Sequence, residues 1–324
     1  PQGSGYGFVT GATMAGFTAL STARNKIYKN LGYDLKADGI INAPKIRFIM
    51  SDEIHPTNII ALQYMGYGKN ELEFVPCDAQ GRLLVSAMPT LDDHSIVLLQ
   101  AGNVNSGAFD PFHEICDAAE NVGAWVHVDA AFGGWVGASK NRKHLSDGME
   151  RADSWSLDCH KWLNVPHDSA IAICRDREAM QAMFGVQAAY LVQGELREAY
   201  HYTPELTRRA RGIEIWAALK HLGQDGLAEI IDNTCNFASG FAESLSEMGF
   251  EILNDVVINQ IVATMDDDDK LDEFIKRVQR SGKTWFGPTL WKGRKAFRIS
   301  ISSHATTQQD INIALSAIKD ALQA

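Results

Sequence analysis

The sequence predicts an α/β protein: a large domain built on a mostly parallel sheet, followed by a smaller C-terminal α+β domain. Three observations carry this expectation. Short β-branched or apolar runs alternate with longer stretches of helical period, the pattern of βαβ units. At 324 residues the chain is too long for one small core, so two packed domains, or one large domain with an appendage, are expected. After Cys174 the strand signals fade and long helices take over.

Taken in order, Gly3-Ser4-Gly5-Tyr6-Gly7 has no strand before it and reads as flexible. The first helix is expected after Thr10-Gly11-Ala12-Thr13, because Phe17, Leu20, Ile27 and Leu31 recur at helical spacing. Strands are expected at 45–50, 71–76, 96–100, 124–128, 154–157 and 170–174, with a helix at 111–121 that has proline near its start. Residues 193–204 are polar and aromatic without a period, which suggests a lid-like loop. Helices at 205–222 and 227–248, strands at 257–264 and 296–302 around a helix at 271–280, and a last helix at 308–322 complete the chain. Gly223 and Gly226 bracket a polar link, so the division is placed at 1–222 and 223–324. Asp266 to Asp269 reads as an acidic turn before a helix, and Thr307 as an N-cap.

A formal net charge of −10 disfavours nucleic acid as a partner, since phosphate backbones are bound by basic faces. The apolar runs at 96–99 and 59–62 fall far short of the ~20 residues that cross a bilayer, so no membrane association is expected. Five cysteines with no Cys-x-x-Cys spacing fit free thiols in a reducing compartment, which makes the cytoplasm the default. The chain opens on Pro1 rather than Met and lacks a signal-peptide pattern, so upstream sequence is expected to be missing.

Three segments could carry chemistry. Gly11-Ala12-Thr13 places small residues and a hydroxyl where a helix begins, which suits an anion as well as an ordinary cap. Trp125-Val126-His127-Val128-Asp129-Ala130-Ala131 ends an apolar strand on a carboxylate, where ligands of parallel sheets bind; a helix cap is the plainer alternative. No third ligand accompanies His127 and Asp129, so no metal is expected. Asp158-Cys159-His160-Lys161-Trp162-Leu163 sets a lysine after another strand, where desolvation could free a nucleophilic amine; a solvated surface lysine is the commoner alternative, which the apolar Trp162 and Leu163 weaken without removing. In that order, a phosphate cradle, a carboxylate for a pyridine nitrogen and an imine-forming amine are what pyridoxal 5′-phosphate needs.

His127-Val128-Asp129-Ala130-Ala131-Phe132-Gly133-Gly134 and Asp153-Ser154-x5-His160-Lys161-Trp162-Leu163 resemble motifs of the group II pyridoxal-phosphate-dependent amino acid decarboxylases, and the likeness runs from about Gly7 to the last helix. The resemblance implies the three-layer fold of the aspartate aminotransferase type and decarboxylation of an L-amino acid to its amine. It implies that Lys161 holds the cofactor through a Schiff base, that Asp129 pairs with the pyridine nitrogen, and that Ala12, Thr13 and His160 bind phosphate. Ala131 would pack on one ring face and His55 on the other, Asn103 would meet the ring hydroxyl in place of the usual threonine, and Arg298 would hold the substrate carboxylate. Tyr200 or Tyr202 would be a loop tyrosine that delivers a proton. Asp158 departs from the usual serine or asparagine; a carboxylate there would repel phosphate, so it is expected to face elsewhere or cap a turn. A homodimer is implied too. The competing outcomes are an aminotransferase, a carbon–carbon lyase or an aldehyde synthase on the same fold, or a cofactor-binding but inactive fragment.

Overall fold

The structure, a computed structural model, is described for residues 1–186 and 196–323. In chain order its elements are β1 (Gly5–Val9), α1 (Ala12–Asn30), the single turn α2 (Leu35–Asp38), β2 (Arg47–Ser51), α3 (Pro56–Tyr64), β3 (Leu72–Val75) and β4 (Ser95–Gln100). Then come α4 (Phe112–Glu120), β5 (Trp125–Asp129), β6 (Ser154–Asp158), β7 (Ala170–Cys174), α5 (Arg177–Phe184) and α6 (Gly212–Glu247). The chain closes with β8 (Glu251–Ile252), β9 (Gln260–Thr264), α7 (Asp268–Arg280), β10 (Gly287–Trp291), β11 (Arg294–Ser300) and α8 (Gln308–Gln323).

Seven strands form one sheet in the order β1-β7-β6-β5-β4-β2-β3. The stretch from β3 to β6 is parallel, and β7 lies antiparallel to both β6 and β1. Parallel strands joined by helical crossovers are covered on both faces. All six residues of β4 are accordingly buried. Ile96 and Leu98 join a core with Leu20 and Ile27 of α1, while Val97 and Leu99 join the opposite core with Phe112 and Ile115 of α4. The α/β class and its three layers follow from this alternation.

The smaller sheet is antiparallel, in the order β10-β11-β9-β8, and packs on α6, α7 and α8 around Phe250, Phe274, Phe286 and Phe297. The Phe286 and Phe297 rings stack with centroids 4.7 Å apart.

Four local differences from the sequence reading have physical causes. The glycine-rich start is ordered: β1 pairs with β7, and a side chain at Gly7 would put its Cβ 2.3 Å from the Tyr202 carbonyl oxygen, so close packing rather than flexibility explains the glycine. The helix expected from 205 begins only at Gly212, because Arg208 ties up the carbonyls of Ala199, Glu205 and Leu206 in a non-helical loop. The two helices expected around 222–226 form one element broken at Gly223, whose φ of 61° and ψ of −169° leave the helical region. Leu227, Ile231 and Cys235 beyond that break still pack in the large core, and only from Ala238 does α6 join the small one. The backbone break therefore precedes the change of packing partner. Finally, β10, not expected from the sequence, closes a hairpin on β11 through Lys292 and Gly293, both at positive φ.

The N-cap expected at Thr307 is present, and the acidic turn before α7 supplies a second cap. Asp267 accepts from the amides of Asp269 and Lys270 at the start of α7, and Thr307 and Asp310 bond reciprocally at the start of α8. Among the described residues no helix is long and apolar enough to cross a membrane.

Candidate active site

The carboxyl ends of β4, β5 and β6 and the amino end of α1 surround a cavity of about 190 Å³, where a ligand of a parallel sheet is expected to sit. Gly11 caps α1 without a side chain, so no side-chain oxygen satisfies the first-turn amides. Those N–H groups, with the positive end of the helix dipole behind them, form an anion site beside Ala12 and Thr13. A Cβ at Gly11 would meet nothing closer than 3.9 Å, and the two atoms at that distance belong to Asp158 and His160.

Asp129 ends β5 at the opposite side of this cavity and is 7% exposed. Its Oδ2 accepts from Asn58 Nδ2 at 2.7 Å and its Oδ1 from the Ala131 amide at 3.1 Å. The carboxylate is thus fixed by a donor on each oxygen. His55 caps α3 just above it: the Thr57 amide donates to Nδ1, so the neutral ring carries its proton on Nε2. Burial pushes His55 below the usual histidine range, and the nearby Lys161 and Arg298 act the same way, against Asp129. Its backbone is held by the Gln100 side chain at 3.1 Å.

Lys161 lies three residues beyond β6. Its Nζ stands 3.2 Å from Asp158 Oδ2 and 5.9 Å from the centre of the Phe132 ring. Here one expectation is overturned: Asp158 does not face away but lines the cavity, because the ammonium of Lys161 draws it inward. Its side chain is 4% exposed, Oδ2 is 3.7 Å from His160 Nε2, and Oδ1 has no hydrogen-bond partner. His160 Nδ1 donates to the Ser169 carbonyl at 3.2 Å, and its ring stacks on His167 with centroids 4.6 Å apart.

A second cavity of about 290 Å³ shares His55, Phe132 and Lys161 with the first and is closed by Val104, Trp162, Gln260, Arg298 and Ser300. Arg298 comes from β11, so this cavity lies between the two sheets. Its Nη1 donates to the Val104 carbonyl at 2.7 Å, and burial alone pulls its pKa below the usual arginine range. No carboxylate pairs with it among the described residues, unlike an arginine on an ordinary strand surface. A half-buried guanidinium without a carboxylate partner is poised to take an anion.

Lys161, Asp129, His55, Ala12, Thr13, Ala131 and His160 therefore share one cavity, and Arg298 opens onto the next. Asn103 does not join them. Its Oδ1 accepts from the amides of Asn105 and Ser106 and its Nδ2 donates to the Glu53 carbonyl, so its side chain braces its own turn and the segment after β2. Tyr202 is fully buried behind β1, with its hydroxyl accepting from Arg177 Nε at 2.9 Å, and neither it nor Tyr200 lines either cavity. Of the lid-like loop, residues 193–195 lie outside the described residues. Sequence reasoning missed Asn58, Gln100 and Val104, which hold Asp129, His55 and Arg298. Phe132 was within reach of it, since it sits inside the Asp129 motif.

Residues 2–265 match the family model described as the pyridoxal-dependent decarboxylase conserved domain. Tryptophan decarboxylase 1 of Oryza sativa subsp. japonica is 26% identical, over 98% of this chain and 67% of that protein. Aromatic-L-amino-acid decarboxylase of Drosophila lebanonensis is 28% identical over 75% of the chain and 64% of its own length, and cysteine sulfinic acid decarboxylase of Mus musculus 28% identical over 76% and 52%. The chain spans about half to two thirds of the length of these relatives. In structure it resembles Oryza sativa TDC with PLP and tryptamine, at a TM-score of 0.90 and 23% identity, covering 99% of this chain and 70% of that one. Mouse CSAD in apo form gives a TM-score of 0.88 at 23% identity, covering 98% and 72%. These likenesses fix the fold.

Proposed function

Because the chain belongs to the pyridoxal-dependent decarboxylase family, we propose that it forms the cofactor-binding and C-terminal parts of an enzyme that converts an L-amino acid to its amine and carbon dioxide. The observation that carries this reading is convergence. An uncapped helix start, the doubly held Asp129 and Lys161 meet in one cavity, and the unpaired Arg298 faces the adjoining one.

Pyridoxal 5′-phosphate fits these residues. The α1 amides would take the phosphate, Asp129 would keep a proton on the pyridine nitrogen, and Lys161 would attach the cofactor covalently through its Nζ. Neutral His55 would cover one ring face, with Ala131 beneath the other. When bound, the cofactor supplies the sink for the electron pair released as carbon dioxide leaves. Arg298 would orient the substrate carboxylate: Val104 occupies one N–H of the guanidinium and leaves the rest of the fork to the ligand. Phe132 and Trp162 give the cavity beside Lys161 an aromatic wall. A homodimer and a cytoplasmic setting belong to the same reading. Exposed Ile213 and Trp216 on α6 support the first, and five free thiols, four of them buried, the second.

Two assays test it. Borohydride reduction of the protein loaded with pyridoxal 5′-phosphate should mark Lys161, and Lys161→Ala should abolish both the mark and turnover. An amino-acid panel should yield amine and carbon dioxide; a keto acid would point to transamination and an aldehyde to the other outcomes. An active enzyme labelled at another lysine overturns the assignment.

A further inference from the structure

The phosphate end of the cavity contains a carboxylate that an anion site would not ordinarily hold. Asp158 is 4% exposed, lines the same cavity as Gly11, Ala12 and Thr13, and points Oδ1 to within 3.9 Å of where a Gly11 side chain would begin. That oxygen has no hydrogen-bond partner. Oδ2 is balanced by Lys161 at 3.2 Å.

Loading the cofactor, on the reading above, would upset this balance: a phosphate bearing nearly two negative charges above pH 7 would arrive at the helix start beside the orphan oxygen. A phosphate there would be repelled by the nearly buried Asp158 carboxylate. Asp158 has one neighbour able to relieve this. His160 already spends its Nδ1 proton on the Ser169 carbonyl, so in the neutral ring Nε2 turns a lone pair toward Asp158 Oδ2 at 3.7 Å. One additional proton, on either atom, converts two facing acceptors into a donor and an acceptor. The other titratable groups near the pair are Lys161, Asp129 and His55 around the cavity, His167 stacked behind His160, and the buried Cys159 thiol, which burial and Asp158 hold neutral; residues 11–13 of α1 bring none.

We propose that the phosphate cradle is proton-linked: a phosphorylated pyridine binds at the start of α1 together with one proton held between Asp158 and His160. The proton belongs to the pair rather than to either residue. Asp158 is a positioning residue here, acting on the phosphate through His160, and the expected consequence is cofactor affinity that falls as pH rises.

Calorimetry with pyridoxamine 5′-phosphate and pyridoxamine tests this. Neither probe carries an aldehyde, so attachment to Lys161 does not enter, and the two differ only by the phosphate. Between pH 7 and 8.5, where that phosphate is fully ionised, the ratio of the two affinities should fall about tenfold per pH unit in the unaltered protein. Asp158→Asn should remove the slope and raise the ratio at pH 8 by roughly tenfold or more, and Asp158→Ser should do the same if the first variant folds poorly. An unchanged slope in these variants overturns the proposal, as does a gain shared equally by pyridoxamine or a slope that only His160→Gln abolishes. If the slope is found while borohydride marks no adduct at Lys161, the decarboxylase reading fails and the proton linkage stands.

Discussion

The two ends of the cofactor cavity each hold a buried carboxylate, and the chain treats them oppositely. Asp129 has a donor on each oxygen, one from Asn58 on α3 and one from the Ala131 amide in the turn that follows β5. Asp158 has one oxygen near the Lys161 ammonium and the His160 ring and the other without a partner. A saturated carboxylate keeps one state; a half-satisfied one changes state when its surroundings do. The end that must stabilise charge throughout a reaction is built rigid, and the end that receives a ligand is left adjustable.

Breaking the rigid end should have the largest effect. Asp129→Asn keeps the shape and loses the charge, so kcat for amine formation should fall about 10³-fold, a loss typical of removing one preorganised electrostatic partner. A fall as small as a few-fold would mean that Asp129 only braces the loop.

Next in size is an effect of acid. His127, on the same strand and face as Asp129, is fully buried, bonded to Ser154, and pushed by burial down to about 4. Its pKa is depressed in the folded state, so the unfolded chain binds the extra proton: stability is complete above about pH 6.5 and is lost as pH falls through about 4. The loss at stake is about 3 kcal/mol. Urea midpoints followed across this window should drop in the unaltered protein and drop less in His127→Gln, which keeps a bond to Ser154 without titrating.

The smallest change sharpens the comparison most. Asn58→Ala leaves Asp129 Oδ2 as undonated as Asp158 Oδ1 is now. It should cost about 1–3 kcal/mol of stability. The same variant should also make the pH dependence of turnover steeper, since Asp129 would then share the adjustability of the other end; an unchanged profile would show that the Ala131 amide suffices.

Much of this arrangement was legible in the sequence, for physical reasons. Apolar strands that end on Asp129 and just before Lys161 announce themselves, because parallel strands are buried throughout and turn polar only where the sheet opens to a ligand. The start of α1 was visible from Phe17, Leu20 and Ile27 alone. What stayed hidden depends on contacts between distant segments. Asp158 was expected to turn away on the strength of phosphate repulsion, yet a lysine one helical turn along the chain supplies the compensating charge. Asn103 carries the right chemistry for a cofactor contact, but the tight turn that follows it claims the side chain. Tyr202 looked available because it sits beside a polar, aperiodic stretch, and its burial against the glycine strand β1 is a contact between segments far apart in the chain.

The bond between Arg298 and the Val104 carbonyl has a consequence for how such a protein could diverge. The guanidinium is aimed by the backbone of a loop from the other sheet, a contact that any side chain at position 104 would preserve. Substitutions in that loop can therefore tilt the fork without touching the arginine, and selection for new amino acids would accumulate changes around 103–106 while Arg298 stays fixed. A randomised library confined to those four positions is a small and direct way to search for altered substrate choice.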